Sequence, residues 1–232
     1  MIEFYGGYEV YSESGVDLTM LRENMRLSVE ERWRKGQRAL EFALALQQSG
    51  RSPNEIAPPS AKPLDAREAI TLVKLLATHR VQYVIVGVQA MHAHGSTWMT
   101  EEIDICYQRT SANLEALFAA IAPLHPSLRG APPEFSFHFD VSTLGVGMNF
   151  PLITDCGYIN LLGEVSGIGG YDQLLAQSVE KTLYTVPIRI LSVDGLIAAK
   201  KAAGRTKDQL HLLELLELKK MLDAAKPTEK TP

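Results

Sequence analysis

The sequence predicts an α+β fold in which helices flank a mixed β-sheet. Two capping boxes, at residues 28–31 and 65–68, each open a stretch with apolar residues at helical spacing. An almost continuous apolar run over residues 81–86 is typical of a strand that is buried on both faces. Alternating segments on either side of residues 155–157 predict an antiparallel hairpin, so the sheet is expected to be mixed.

The composition is that of an ordinary globular protein. Of the 232 residues, 46% are hydrophobic and 22% are charged, which is enough apolar material to bury a core. The net charge of −4 argues against a protein that coats nucleic acid, because that binding needs many lysine and arginine side chains. A local basic patch is still compatible with this net charge.

The cysteines and the apolar runs bear on the cellular environment. Cys106 and Cys156 form neither a disulfide framework nor a CxxC motif, which is typical of reduced, buried thiols. No apolar run approaches the roughly 18 residues of a membrane helix, and the first residues lack the pattern of a secretory signal. We therefore expect a cytoplasmic protein that makes no membrane contact.

The first predicted element is a long helix that opens at the capping box of Ser28. Val29, Trp33 and Leu40 form an apolar stripe along it, and the pattern stops before residue 50. Four prolines then mark residues 51–63 as an extended linker. Residues 1–64 are therefore predicted to form a helical N-terminal arm that packs on the main domain, or on a second subunit in a homodimer.

The main domain is predicted over residues 65–222, with a polar, flexible tail over residues 223–232. Its helices show apolar residues at helical spacing, and its strands are short apolar or alternating runs. The predicted helices open at residue 65, span residues 88–94, 112–124, 171–177 and 192–204, and end with one capped by Asp208. The predicted strands span residues 81–86, 103–107, 150–154, 158–162 and 188–191.

The densest group of candidate functional residues lies around the first two of these strands. Glu102 and Asp104 alternate along one strand, so both side chains project from the same face. Mg²⁺ is commonly held by one or two carboxylates together with phosphate oxygens. Gly87 ends the preceding strand, and its lack of a side chain lets a phosphate approach the backbone closely. The N-terminus of the helix that follows also favours an anion. The alternative is an acidic pair on a solvated edge.

Three stretches together resemble the nucleotidyltransferase-fold proteins related to the toxin component of bacterial abortive-infection and toxin–antitoxin pairs. The first is YVIVGVQA at residues 83–90 with the His94–Gly95 pair, and the second is TEEIDI at residues 100–105. The third joins LIAAK at residues 196–200 to AGRTKD at residues 203–208. The resemblance extends over residues 81–222.

The resemblance implies a nucleotidyltransferase fold and Mg²⁺-dependent transfer of a nucleoside monophosphate from an NTP to a hydroxyl of tRNA or protein. A toxin role with a cognate antitoxin protein as partner is part of the same implication. Glu102, Asp104 and Asn160 would then be the catalytic positions, the first two as metal ligands. The residues implied in nucleotide binding are Gly87, Val88, His94, Lys200 and Arg205.

The sequence departs from the family pattern at four positions. Val88 replaces a glycine or serine, Trp98 replaces an arginine, and Glu102 replaces an aspartate. The fourth departure is Asn160, which stands where the family has a third carboxylate and cannot act as a base. Glu164 could substitute for it only if the strand extends that far, and the glycines that follow residue 162 indicate that it ends.

These departures leave three functions open. The first is a nucleotidyltransferase, active or weak, with tRNA or protein as acceptor. The second is an inactive member of the fold that binds a nucleotide or a protein partner, for which Asn160 is the diagnostic residue. The third is a nucleotidyltransferase that modifies a small molecule such as an antibiotic, because acceptor choice depends on loops such as residues 128–149.

Overall fold

The computed structural model describes residues 4–5, 8–49, 66–132 and 137–225. The linker predicted over residues 51–63 and the end of the predicted tail, residues 226–232, lie outside them. Within the described ranges the α-helices are α1 (Leu18–Arg26), α2 (Val29–Ser49), α3 (Ala66–Thr78), α4 (Gly87–His94), α5 (Ser111–Ile121), α6 (Val141–Val146), α7 (Tyr171–Ala176), α8 (Val193–Ala203) and α9 (Thr206–Ala224).

The strands of the described residues fall into one large sheet and two short ribbons. A 3-10 turn at Ala122–Leu124 follows α5. The strands are β1 (Phe4–Tyr5), β2 (Tyr8–Glu9), β3 (Tyr83–Val86), β4 (Glu102–Tyr107), β5 (Ser127–Leu128), β6 (Asn149–Thr154), β7 (Gly157–Leu162), β8 (Glu164–Val165), β9 (Gly169–Gly170), β10 (Ser178–Leu183) and β11 (Val186–Leu191).

The large sheet has the strand order β10-β11-β3-β4-β7-β6-β5 in the described part of the chain. The pairs β11–β3 and β4–β7 are parallel, and the other neighbouring strands are antiparallel. The predicted mixed sheet and α+β class are therefore confirmed. The central strands are buried because their side chains are almost all apolar, as Ile85, Ile105 and Leu161 illustrate with at most 1% of their surface exposed.

The N-terminal arm packs on α4 of its own chain. The predicted capping box is present, since the Ser28 N–H donates to Glu31 Oε2 and the Glu31 N–H donates to Ser28 Oγ. Trp33 is buried in the main core, and α2 contacts α4. In α1, which the sequence patterns did not predict, Asn24 donates from Nδ2 to the Gly95 carbonyl. A dimer formed through the arm stays a prediction.

Strand β10 was missed by the sequence patterns, and its turn explains why. It pairs with β11 through a two-residue turn, Tyr184–Thr185, and both turn residues have positive φ angles of 47° and 69°. Turns of this kind are usually signalled by Asn-Gly or Asp-Gly, and neither is present.

No helix within the described ranges combines the length and apolar character needed to cross a membrane.

Candidate active site

A cavity of about 720 Å³ opens at the edge of the large sheet where β3 and β11 end and β4 and β7 begin. The α8–α9 turn closes its other side. The predicted site residues that line this cavity are Gly87, Val88, Glu102, Asp104, Asn160, Lys200 and Arg205. The structure therefore brings together all but one of the predicted site residues, and the exception is His94.

Strand β4 places both carboxylates in the cavity. Glu102 and Asp104 are separated by the buried Ile103, so they share the opposite, cavity-facing side of the strand. The parallel pairing with β7 sets Asp104 opposite Asn160 and Glu102 opposite Tyr158. Sequence alternation predicted the shared face, whereas the position of Asn160 depends on the register between two strands that are distant in sequence.

A hydrogen-bonded network joins these side chains to an arginine that the sequence patterns did not single out. Asn160 donates from Nδ2 to Asp104 Oδ1 at 2.6 Å. Arg129 donates from Nη2 to Asn160 Oδ1 at 3.2 Å and forms an ion pair with Glu102 Oε2 at 2.7 Å. Its guanidinium also lies 5.2 Å from the ring centroid of Tyr158. Arg129 follows β5, three strands away, so no local pattern indicates this contact.

The electrostatic environment of Asp104 favours a bound cation. Burial is the main reason that the pKa of Asp104 is raised to about 6; the nearby Glu102 carboxylate acts in the same direction, and the Asn160 hydrogen bond opposes it. The positive charges of Lys200 and Lys207 also lower it. A cation beside Asp104 would restore the ionised form that burial disfavours, so the position suits a carboxylate that holds a metal ion.

Gly87 is required by both its backbone conformation and its surroundings. Its φ angle is +65°, in the left-handed region that favours glycine. A Cβ atom at this position would lie only 2.0 Å from Asp104 Oδ2. The missing side chain therefore gives the Asp104 carboxylate the space it occupies at the start of α4.

We expect Gly87→Ala to lower the free energy of unfolding by clearly more than a backbone penalty alone. Alanine at positive φ costs about 1–2 kcal/mol, and at Gly87 the methyl group also has to displace the Asp104 carboxylate. Urea denaturation measures the loss. Gly130→Ala is the matched control, because Gly130 has a φ angle of +77° but nothing within 4 Å of its added Cβ. Equal losses in the two variants would contradict the steric role of Gly87.

The opposite side of the cavity carries positive charge around a buried aspartate. Lys200 donates from Nζ to Asp208 Oδ1 at 3.0 Å, and Arg205 donates from Nε to Asp208 Oδ2 at 2.6 Å. Burial alone would raise the pKa of Asp208, but the hydrogen bonds from Arg205 and Lys200 outweigh it and hold the pKa at about 2. Lys207 also lines the cavity. The side facing β4 is therefore basic.

The sequence predicted that Asp208 caps the last helix, but in the structure it does not. Helix α9 begins at Thr206, and Arg205 is the residue at the cap position. The Asp208 side chain is instead fully buried between the two basic residues of the α8–α9 turn. The prediction was wrong because the local pattern of a capping residue cannot reveal a buried charge partner on the preceding helix.

His211 is a cavity residue that sequence analysis missed. It lies one turn after Asp208, and its ring meets Trp98 edge-on with a centroid distance of 4.5 Å. Burial and the nearby Lys200 lower the pKa of His211 to about 4, so the ring is neutral at pH 7. Trp98, which replaces the arginine of the family pattern, contacts this ring and is not among the residues that line the cavity. An isolated histidine on a leucine-rich helix gives no sequence signal of such a role.

His94 lies outside the cavity lining, and its implied contact with the nucleotide stays a prediction. Its Nε2 is 2.8 Å from the carbonyl oxygen of Leu191, so the ring N–H donates to that oxygen. It is the last residue of α4, at the far end of the helix from Gly87. His94 therefore ties α4 to the end of β11 and does not face the site.

The buried state of His94 predicts a pH dependence of stability. Burial lowers its pKa to about 4, against about 6.5 in an unfolded chain, so acidification protonates the unfolded state first. Between pH 7.5 and 4.5, wild type is expected to lose about 2–3 kcal/mol more stability than His94→Gln, whose amide can still donate to Leu191. Urea denaturation at both pH values measures this difference. Parallel pH profiles of the two proteins would contradict it.

The cavity contains one further carboxylate. Strand β7 ends at Leu162, as expected, yet Glu164 at the start of β8 also lines the cavity. Asp104 and Asp208 accept hydrogen bonds and Glu102 is ion-paired with Arg129, whereas the Glu164 carboxylate has neither kind of partner among the described residues. Glu164 is in the site even though β7 ends before it, because β8 begins two residues after the end of β7 and keeps Glu164 at the cavity.

The donors present suit one Mg²⁺ ion that is shared with phosphate. Two adjacent carboxylates, Glu102 and Asp104, are the hard oxygen ligands that Mg²⁺ takes together with substrate phosphate oxygens. The described residues contain no group of three or more His, Cys, Asp or Glu side chains arranged to hold a metal ion. Phosphate oxygens are the further ligands that Mg²⁺ commonly takes at a pair of carboxylates.

No protein-family model matches the chain, and no curated protein matches it.

Proposed function

We propose that the chain is a nucleotidyltransferase-like protein, with a nucleotidyltransferase fold, that binds an NTP together with Mg²⁺. One observation carries the proposal, namely that the carboxylates of β4 face the basic α8–α9 turn across a single cavity. A nucleoside triphosphate with its Mg²⁺ ion needs both kinds of group, because the metal binds carboxylates and the phosphates bind cationic side chains. The resemblance of the sequence to nucleotidyltransferase-fold proteins supports the same function.

Each side of the cavity has a distinct part in binding. Glu102 and Asp104 would hold the Mg²⁺ ion, which neutralises phosphate charge when bound. Lys200, Arg205 and Lys207 would neutralise the remaining charge of the triphosphate. Because α4 begins at Gly87, its first turn offers backbone N–H groups to an anion at the cavity wall. The chain would thus hold the triphosphate between the sheet edge and the α8–α9 turn.

The proposed reaction transfers a nucleoside monophosphate to a hydroxyl group of tRNA or protein. The hydroxyl oxygen bonds to the α-phosphorus, the bond from that phosphorus to the bridging oxygen breaks, and pyrophosphate leaves. The hydroxyl proton needs an acceptor, and the Asn160 amide cannot take it. Glu164 lines the cavity, its carboxylate accepts no hydrogen bond from the described residues, and it is our candidate for this base. A toxin role with an antitoxin partner rests on the sequence resemblance.

A second candidate function is nucleotide binding with little or no catalysis. The observation that favours it is the network at Asn160, where an amide and the Arg129 guanidinium take the place of a third carboxylate. Loss of a general base typically lowers a rate by about 10²- to 10⁴-fold. A chain of this kind would retain NTP in the cavity and would act through a bound partner.

Label transfer distinguishes the two candidates. Purified protein is incubated with Mg²⁺ and each of the four α-³²P-labelled NTPs, with total tRNA or with a protein mixture as acceptor. The transferase proposal expects labelled acceptor with wild type and background label with Asp104→Ala. Label that never exceeds this background would contradict transfer. Calorimetry that still detects NTP binding would then support the second candidate, and its failure would overturn both.

A further inference from the structure

The position of Arg129 in the cavity bears on how many divalent cations bind there with each nucleotide. We infer that the site takes one divalent cation per nucleotide, and that the Arg129 guanidinium provides the second positive charge at the carboxylates. The inference rests on the proposed binding of an NTP. It concerns how many metal ions bind with that NTP and which residue takes the place of a second metal ion.

The charge balance around β4 supports a single divalent cation. Glu102 and Asp104 contribute two negative charges, Arg129 contributes one positive charge, and Asn160 is neutral. The cluster is therefore close to −1 before any ion binds. A third carboxylate without the arginine would make it −3, which could offset a pair of divalent ions far better.

The hydrogen bonds show which part of the cluster the guanidinium occupies. Arg129 Nη2 contacts Glu102 Oε2 at 2.7 Å and Asn160 Oδ1 at 3.2 Å. The Asn160 amide oxygen is the atom through which this residue could bind a metal, and it already accepts from arginine. Glu102 is paired through only one of its two carboxylate oxygens, Oε2, so it can still bind the metal ion through the other. The side of the cluster next to β7 thus already holds a positive charge.

Arg129 is held in this position from several directions. Its backbone N–H donates to the Pro151 carbonyl on β6 at 2.8 Å, which fixes the chain at the far strands of the sheet. Its guanidinium then crosses the ring of Tyr158, 5.2 Å from the ring centroid, to reach β4. The stacking on Tyr158 and the contacts with Glu102 and Asn160 together orient the guanidinium toward β4, although its side chain is partly exposed.

The other side of Asp104 is left for the one divalent cation. Its Oδ1 accepts from Asn160, whereas its Oδ2 accepts no hydrogen bond from the described residues. Oδ2 is also the oxygen that lies nearest the missing side chain of Gly87. The free carboxylate oxygen and the glycine turn therefore meet at one place, on the side of Asp104 away from Arg129.

Counting bound Mn²⁺ tests the inference. Protein is dialysed to equilibrium against Mn²⁺ and each of the four α,β-methylene NTP analogues, and retained metal and nucleotide are both quantified. We expect one Mn²⁺ per retained nucleotide for wild type and two for the Arg129→Met/Asn160→Asp double variant. Arg189→Met is the matched control, because Arg189 is a similarly exposed arginine paired with Glu180 outside the cavity, and it should retain one.

The outcomes separate this inference from the proposed function. Two Mn²⁺ ions per nucleotide in wild type would overturn the inference and leave NTP binding intact. Retention of no analogue by wild type would overturn both. A folded double variant that still holds one Mn²⁺ would overturn the assignment of Arg129 as the second positive charge. If the double variant does not fold, the wild-type count still decides the stoichiometry.

Discussion

Asp104→Asn is expected to weaken Mg²⁺-dependent NTP binding by about 100-fold or more. Loss of a residue that only supports a metal ligand typically costs 10- to 100-fold in metal affinity, so loss of a direct ligand should reach at least the upper value. Asparagine keeps the shape of the side chain and can still accept the hydrogen bond from Asn160 Nδ2. The loss would therefore report the missing charge, and titration calorimetry with each NTP measures it.

Asp172→Asn is the matched control for this variant. Asp172 is an exposed aspartate on α7 that does not line the cavity, so its substitution should leave NTP affinity within about twofold of wild type. Calorimetry without Mg²⁺ supplies the second comparison, in which wild type and Asp104→Asn should bind equally weakly. An unchanged affinity of Asp104→Asn in the presence of Mg²⁺ would remove Asp104 from the site.

Asp208→Asn is expected to give the largest loss of stability, about 3–5 kcal/mol in the free energy of unfolding. The substitution leaves the ammonium of Lys200, only 10% exposed, without the carboxylate that neutralises it. Breaking a buried ion pair from one side costs this much because an uncompensated charge remains in a poorly solvated place. Arg205 also loses its partner, although it can turn toward solvent. Urea denaturation at pH 7 measures the loss.

The stability loss of Asp208→Asn has a matched control and a predicted pH dependence. Asp194→Asn removes an exposed partner of Lys219 and should cost less than about 1 kcal/mol. The pKa of Asp208 is depressed to about 2, so its contribution is present above about pH 4 and is lost as the pH falls toward 2. The difference in stability between wild type and Asp208→Asn should therefore shrink by about 2–3 kcal/mol in acid. Similar small losses for both variants at pH 7 would contradict the buried pair.

The sequence predicts those parts of the fold that local hydrophobic pattern determines. Strands β3 and β4 are evident because their buried residues are apolar, and the hairpin of β6 and β7 is evident from its turn. Strand β10 escapes prediction because it is rich in polar residues, lies at an edge of the sheet and is joined to β11 by the unusual turn Tyr184–Thr185. Its identity as a strand depends on pairing with β11, which is a contact and not a local preference.

The candidate site divides in the same way. Glu102 and Asp104 could be predicted together because strand alternation is local, and Gly87 because a glycine ends a buried strand. Arg129 could not, since it reaches β4 only through the strand order of the sheet. The position of His94 could not be predicted either. A helix turns its residues through all directions, and only the packing of α4 on β11 decides which way this ring faces.

The most direct test of the account is to locate a bound nucleotide by paramagnetic NMR. Mn²⁺ and an α,β-methylene NTP are added to isotope-labelled protein, and the broadening of each assigned amide signal is measured. The account predicts strong broadening at Gly87, Asp104 and Lys200, which surround the cavity, and much weaker broadening at Thr185, in the turn at the opposite end of β11 from the cavity residue Leu191. Nucleotide-dependent broadening confined to another surface, or none with any of the four analogues, would contradict it.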